Sequence, residues 1–173
     1  MSAARTTTLV LLLAPTIGCV ARGVKLVEVF PAGSVASPWR AEGPIWTGPF
    51  EEAAVALGDD AEGWRTHEPQ RAWLARYAHD QRAGEHLLVR ALSFAAPDAA
   101  LRAFEAHLPL DAQRIDAGDA AGWTADGILV RWGRLVFDIF GDAPSGMARP
   151  EQAVYLFAFI ERRMPDDLPD DPR

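Results

Sequence analysis

Two short apolar runs, Ile128–Trp132 and Leu135–Phe140, carry the clearest pattern in the chain, with Gly133-Arg134 between them. A two-residue turn with Gly first suits a type II′ hairpin. That turn sets Trp132 opposite Leu135, Val130 opposite Phe137 and Ile128 opposite Ile139. All six are apolar and share one face, and a slip of one residue would turn them all to the other side. On the opposite face Arg131 lies diagonal to Asp138, an arrangement that predicts an exposed ion pair. A second hairpin is expected from Ala72–Asp80 and His86–Phe94. Pairing odd positions with odd (Trp73, Ala75, Tyr77 with Leu87, Val89, Ala91) gives one mostly apolar face and leaves Arg76 and Arg90 on a mixed one. Gly84 can supply a left-handed residue in the connecting turn.

Helical spacing marks other segments. Pro97–Leu108 starts on a proline suited to a first turn and repeats Leu101, Phe104 and Leu108 along one side. Glu51–Leu57 has acids in its first turn and Gly58 beyond its end. Pro150–Met164 is apolar all round from Val154 to Ile160 and reads as a buried helix, with a final strand as the alternative. Val24–Phe30 is a candidate first strand. Residues 31–50 read as an irregular segment or linker, and residues 59–70 as polar loop. The order strand–strand–helix–strand–strand–helix predicts a single α+β domain, an antiparallel sheet of two hairpins with helices packed on one face. The expected organisation is a signal segment over 1–18, an anchor and linker or first strand over 19–45, the α+β domain over 46–164, and a disordered acidic tail over 165–173.

The N-terminus changes the picture. Arg5 precedes an uncharged stretch with its apolar centre at Leu9–Ala14, interrupted by Pro15. The run is too short to span a bilayer comfortably and fits a signal peptide. It ends at Thr16-Ile17-Gly18-Cys19, where Cys19 is the only cysteine of the chain. This resembles the lipobox of bacterial lipoproteins, in which a small residue precedes an obligatory Cys. Thr16 departs from the family, which usually has Leu there. The resemblance implies that the thiol of Cys19 carries diacylglycerol and that cleavage falls just before it. It also implies an envelope location facing the periplasm or exterior, with a membrane as partner. Two or three acyl chains hold a protein stably, whereas one does not. Two alternatives stay open: secretion after cleavage at Cys19-Val20-Ala21 or Ser34-Val35-Ala36, and an uncleaved anchor or buried helix.

Charge and residue content narrow the rest. A net charge of −7 argues against nucleic acid and against electrostatic attachment to anionic lipid. A lone cysteine can build neither an internal disulfide nor a thiolate zinc site. His67, His79, His86 and His107 lack a metal-ligand spacing, and the register above puts His79 and His86 on opposite faces. Ser34 and Ser145 lack the nucleophile-elbow motif. The acidic pairs Glu51-Glu52, Asp59-Asp60, Asp166-Asp167 and Asp170-Asp171 point apart and suit helix starts and solvated tail. No cofactor, metal or catalytic residue is therefore expected. Among six tryptophans, Trp39, Trp46 and Trp64 lie in predicted loops, where they either cover the edge of the core or form a ligand platform.

These readings lead to an exported, non-catalytic envelope lipoprotein with a binding or supporting role, possible partners being the membrane and another envelope protein. A carrier of a small lipid or sugar is the alternative, followed by an enzyme assembled from distant residues. An apolar pocket of several hundred Å³ would favour the carrier. A polar cleft of convergent titratable groups would favour the enzyme, and an exposed apolar patch a protein partner.

Overall fold

The computed structural model describes residues 28–33, 36–58, 60–141 and 150–164. The lipobox-like segment with Cys19, the cleavage candidate at Ser34-Val35, Asp59, the loop with Ser145 and the acidic tail lie outside them. No helix among the described residues is long and apolar enough to cross a membrane.

Both hairpins form with the expected registers. Strands β3 (Arg71–His79) and β4 (His86–Ser93) pair Trp73 with Ala91, Ala75 with Val89 and Tyr77 with Leu87. Strands β7 (Gly127–Trp132) and β8 (Leu135–Gly141) pair Trp132 with Leu135, Val130 with Phe137 and Ile128 with Ile139. The turn between β7 and β8 has Gly133 at φ 55°, the left-handed first position a type II′ turn needs. Gly127 is fixed by space: a Cβ there would strike the backbone carbonyl of Ile139 on β8.

The two hairpins join through an antiparallel β4–β8 pairing, which sets Ala91 opposite Phe137 and Arg90 opposite Asp138. Short strands complete one eight-stranded sheet. Strands β1 (Trp39–Ala41) and β2 (Trp46–Pro49) share the outer edge of β3. Strands β5 (Arg114–Ile115) and β6 (Ala120–Trp123) extend the sheet beyond β7. The α+β class, the antiparallel sheet and the single domain are as the pattern predicts.

The helices, however, pack on both faces rather than on one. Helix α4 (Pro150–Glu161) buries Ala153, Leu156, Phe157 and Ile160 against Trp73, Tyr77, Val130 and Phe137, together with Val29 and Phe30. The helical reading of this segment therefore holds over the strand alternative. On the other face lie α1 (Phe50–Leu57), α2 (Asp60–Arg65) and α3 (Pro97–His107). They bury Phe50, Trp64 and Phe104 against Ala72, Leu92, Leu129 and Val136. The second face was hard to read because its apolar residues are few and separated by charges.

Three local expectations also change. Glu28–Phe30 is a turn, not a strand, while residues 24–27 lie outside the described residues. The segment taken as irregular contributes β1 and β2, and Trp39 is fully buried. The segment taken as polar loop contains α2. Its start is acidic and Arg65 ends it, as helix electrostatics favours, but Gly63 interrupts the helical pattern.

Candidate functional site

Helices α1–α3 leave part of their sheet face open. Beyond them, the face positions of β3, β4 and β8 are Leu74, Leu88, Arg90, Asp138 and Phe140, and two open cavities lie here. The first has a volume of about 440 Å³ and is lined mostly by polar groups, among them Asp60, Arg90, His107, Asp126 and Asp138. The second, about 400 Å³, is more apolar and includes Leu57, Leu74, Leu88 and Val89. Asp60, Arg90 and Phe140 line both and so form the partition between them.

Arg90 stands at the centre. It is the single charge in the middle of β4, and Asp138 is the single charge in the middle of β8. The β4–β8 register puts them side by side. One guanidinium nitrogen, Nη2, lies 3.3 Å from Asp138 Oδ2 and 3.2 Å from Asp60 Oδ2 at the start of α2. Only 6% of the Arg90 side chain is exposed, against 17% for Asp138 and 67% for Asp60. A cation this buried persists only when paired. Its planar group also lies 5.0 Å from the Phe140 ring centroid and 6.0 Å from that of Trp64. Arg90 Nε has no acceptor among the described residues.

Burial pushes the Asp138 carboxyl up to about 6, opposed by Arg90 and reinforced by the charges of Asp126 and Asp60. Here burial outweighs the ion pair with Arg90.

Trp64 and His107 close one side. Their rings stack at 3.6 Å and 5°, and His67 meets His107 edge-on at 5.5 Å. His107 Nδ1–H donates to the Ala103 carbonyl at 2.9 Å, which leaves Nε2 as an acceptor. Burial lowers the His107 pKa, so the ring is neutral at pH 7. Gly63 permits this packing, since a Cβ there would lie 3.3 Å from His107 Nε2. At the far rim Thr124 Oγ1 donates to Asp126 Oδ1 at 3.4 Å.

The expected exposed pair between Arg131 and Asp138 does not form. Asp138 turns to Arg90, and Arg131 pairs with Asp119 at 3.0 Å. The neighbour across β8 is β4, more than forty residues away in the chain, and local alternation carries no signal of that pairing. The signal available was one Arg and one Asp, each alone in an apolar strand.

Other candidates scatter. His79 is buried with its ring edge against Trp39, whereas His86 sits 3.6 Å from Glu42 on the opposite face. Glu51 binds Arg65 at 3.2 Å on the surface. Trp46 is partly exposed, while Trp39 lies in the core and Trp64 walls the cleft. Among the described residues no three of His, Cys, Asp and Glu are grouped so as to hold a metal ion. Comparison with protein-family models, curated proteins and solved structures gave no match for this chain.

Proposed function

We propose that this chain is an exported protein held at a membrane by lipid on Cys19, and that its domain binds a small molecule in the cleft around Arg90 without transforming it. The observation that carries the binding role is the Arg90–Asp138–Asp60 cluster, opening on a cavity of about 440 Å³. Ligand sites have this size and gather placed polar groups at one point. The envelope location rests on the lipobox-like segment ending at Cys19. The acidic charge supports attachment by acyl chains rather than by a basic patch, and it disfavours nucleic acid.

The two cavities bear on the carrier and enzyme readings separately. The apolar one fits a carrier. The polar one holds convergent titratable groups, and Asp138, raised to about 6, has the proton affinity of a general acid or base. That single observation favours catalysis as the second reading. Binding is preferred because Arg90 is engaged by Asp60 and Asp138, and Thr124, the one hydroxyl among the described residues lining the polar cavity, is bonded to Asp126.

Two experiments test the proposal. Wild type and Cys19→Ser are expressed in a bacterial host, fractionated and labelled with an alkynyl fatty acid. Wild type should pellet with membranes and take the label, and the variant should do neither. Equal release of both refutes the anchor. Native mass spectrometry of the purified chain should detect a small-molecule adduct that is lost in Thr124→Trp, which fills the polar cavity. An adduct that survives Thr124→Trp refutes the cleft as the site.

A further inference from the structure

We infer that the ligand of this cleft is a small amphiphile, a primary ammonium head on an alkyl chain, with the head among Asp60, Asp126 and Asp138 and the chain over Leu74 and Leu88. The inference rests on the cleft being a binding site and names the chemistry of what it takes.

The polar cavity is built from acceptors. Three carboxylates, Asp60, Asp126 and Asp138, line it beside Arg90, the one cation among the described residues that line it. His107 adds a neutral ring whose Nε2 can only accept, its other nitrogen being committed to the Ala103 carbonyl. Nη2 of Arg90 is shared by two of the carboxylates, and the guanidinium is almost wholly buried. An anion entering here would meet surplus negative charge and, among the described lining residues, a cation already paired with two carboxylates. An ammonium brings three donors, no acceptor and one positive charge, which matches both the acceptors and the charge. A divalent cation would need several oxygens drawn close around one point, and no such group occurs among the described residues; an ammonium needs only separate acceptors at hydrogen-bond distance.

The chain half follows from what adjoins this cavity. Across Asp60, Arg90 and Phe140 lies the second cavity, of about 400 Å³. Its floor is Leu74, Leu88 and Phe140, all half-buried on a sheet face that α1 and α2 leave open. Leu57 of α1 forms a wall. The charges at its rim are met by each other, with Arg76 Nε 3.5 Å from Glu42. A polar ligand alone would leave this apolar floor wet, and a hydrocarbon alone would leave the carboxylates unmatched. One molecule with both ends satisfies both cavities. The Phe140 ring at the partition lies against the junction of head and chain.

The test is isothermal titration calorimetry of the purified chain at pH 7.5 with octylamine, octanol and octanoate, and with butylamine and hexylamine. Octylamine should bind at least a hundredfold more tightly than octanoate. Each methylene added between butylamine and octylamine should tighten binding about fourfold, the effect of burying one CH₂ group. Leu74→Ser and Leu88→Ser should flatten that chain dependence, whereas Leu110→Ala, fully exposed and outside both cavities, should leave it as in wild type; thermal midpoints of the variants check that they are folded. Thr124→Trp should abolish octylamine binding. Equal binding of octanoate or octanol, lost in Thr124→Trp, overturns the ammonium head while the cleft remains the site. Octylamine binding that survives Thr124→Trp overturns the placement. An absence of binding by all the amines overturns the inference, and the native mass spectrum then decides separately whether the cleft holds anything.

Discussion

Asp138 is the residue whose behaviour differs most from that of a surface carboxylate. Its neutral isostere, Asp138→Asn, isolates that difference. In the folded chain the carboxyl is displaced from an ordinary value of 3.8 to about 6, chiefly by burial. At about 1.36 kcal/mol per tenfold change in proton affinity, that displacement corresponds to roughly 3 kcal/mol. The sign follows from which state holds the proton. Below about pH 4 both folded and unfolded chains carry it, and Asp138 contributes nothing. Between about 4 and 6 the unfolded carboxyl ionises while the folded one stays protonated, so stability falls as pH rises. Above about 6 both are ionised and the penalty is constant. Asn cannot ionise, so the variant escapes it. Urea unfolding of both proteins from pH 4 to pH 8 should therefore show the variant gaining up to about 3 kcal/mol on wild type across that window. Taking the difference removes the other carboxylates, which titrate in the same range in both proteins. A difference that does not change with pH, or wild type gaining on the variant as pH rises, would show that Arg90 outweighs burial and that the argument has the wrong sign.

Further expectations follow from the same contacts. Arg90→Met should destabilise by about 3–5 kcal/mol, because it leaves Asp138 buried without its cation; the double variant Arg90→Met/Asp138→Leu should recover most of that loss in urea unfolding. Phe137→Ala, at a fully buried position between Phe30 and Phe157, should cost about 3–5 kcal/mol, whereas Leu110→Ala, fully exposed, should change stability by less than about 0.5 kcal/mol. Gly127→Ala should destabilise by about 1–3 kcal/mol or more, since β8 must move to admit a methyl group. Octylamine binding should tighten about tenfold from pH 5 to pH 7 as Asp138 ionises beside Asp60 of α2, Asp126, Arg90 of β4 and His107 of α3; calorimetry at the two pH values checks it.

The parts of this fold legible in the chain are those set by neighbours in sequence. The registers of both hairpins follow from alternating apolar residues and from the two-residue turn at Gly133. Helix α3 follows from Pro97 and its apolar spacing, although the side it buries carries Ala100, Ala103 and Phe104 and leaves Leu101 exposed. What escaped depends on distant pairing. The joining of β4 to β8 decides that Asp138 meets Arg90 rather than Arg131. Alternation alone cannot say which strand lies across the open edge of a hairpin. Helix α2 escaped because it is six residues long with Gly63 inside it, yet it delivers Asp60 and Trp64 to the cleft. His107 looked like an unattached histidine because its partner Trp64 stands in another helix. The polar cavity is thus assembled from five elements (α2, α3, β4, β7 and β8) and a loop, none with a motif of its own.

If the part of the sheet face left open by α1, α2 and α3 is where this protein takes its ligand, backbone amide shifts of the ¹⁵N-labelled chain, followed as octylamine is added, should be saturable and confined to the cleft, at Gly63, Leu88, Arg90, Thr124 and Asp138, with the amides of α4 on the opposite face unmoved. Saturable shifts centred on α4, or scattered over both faces with no cluster at Arg90, would contradict that placement.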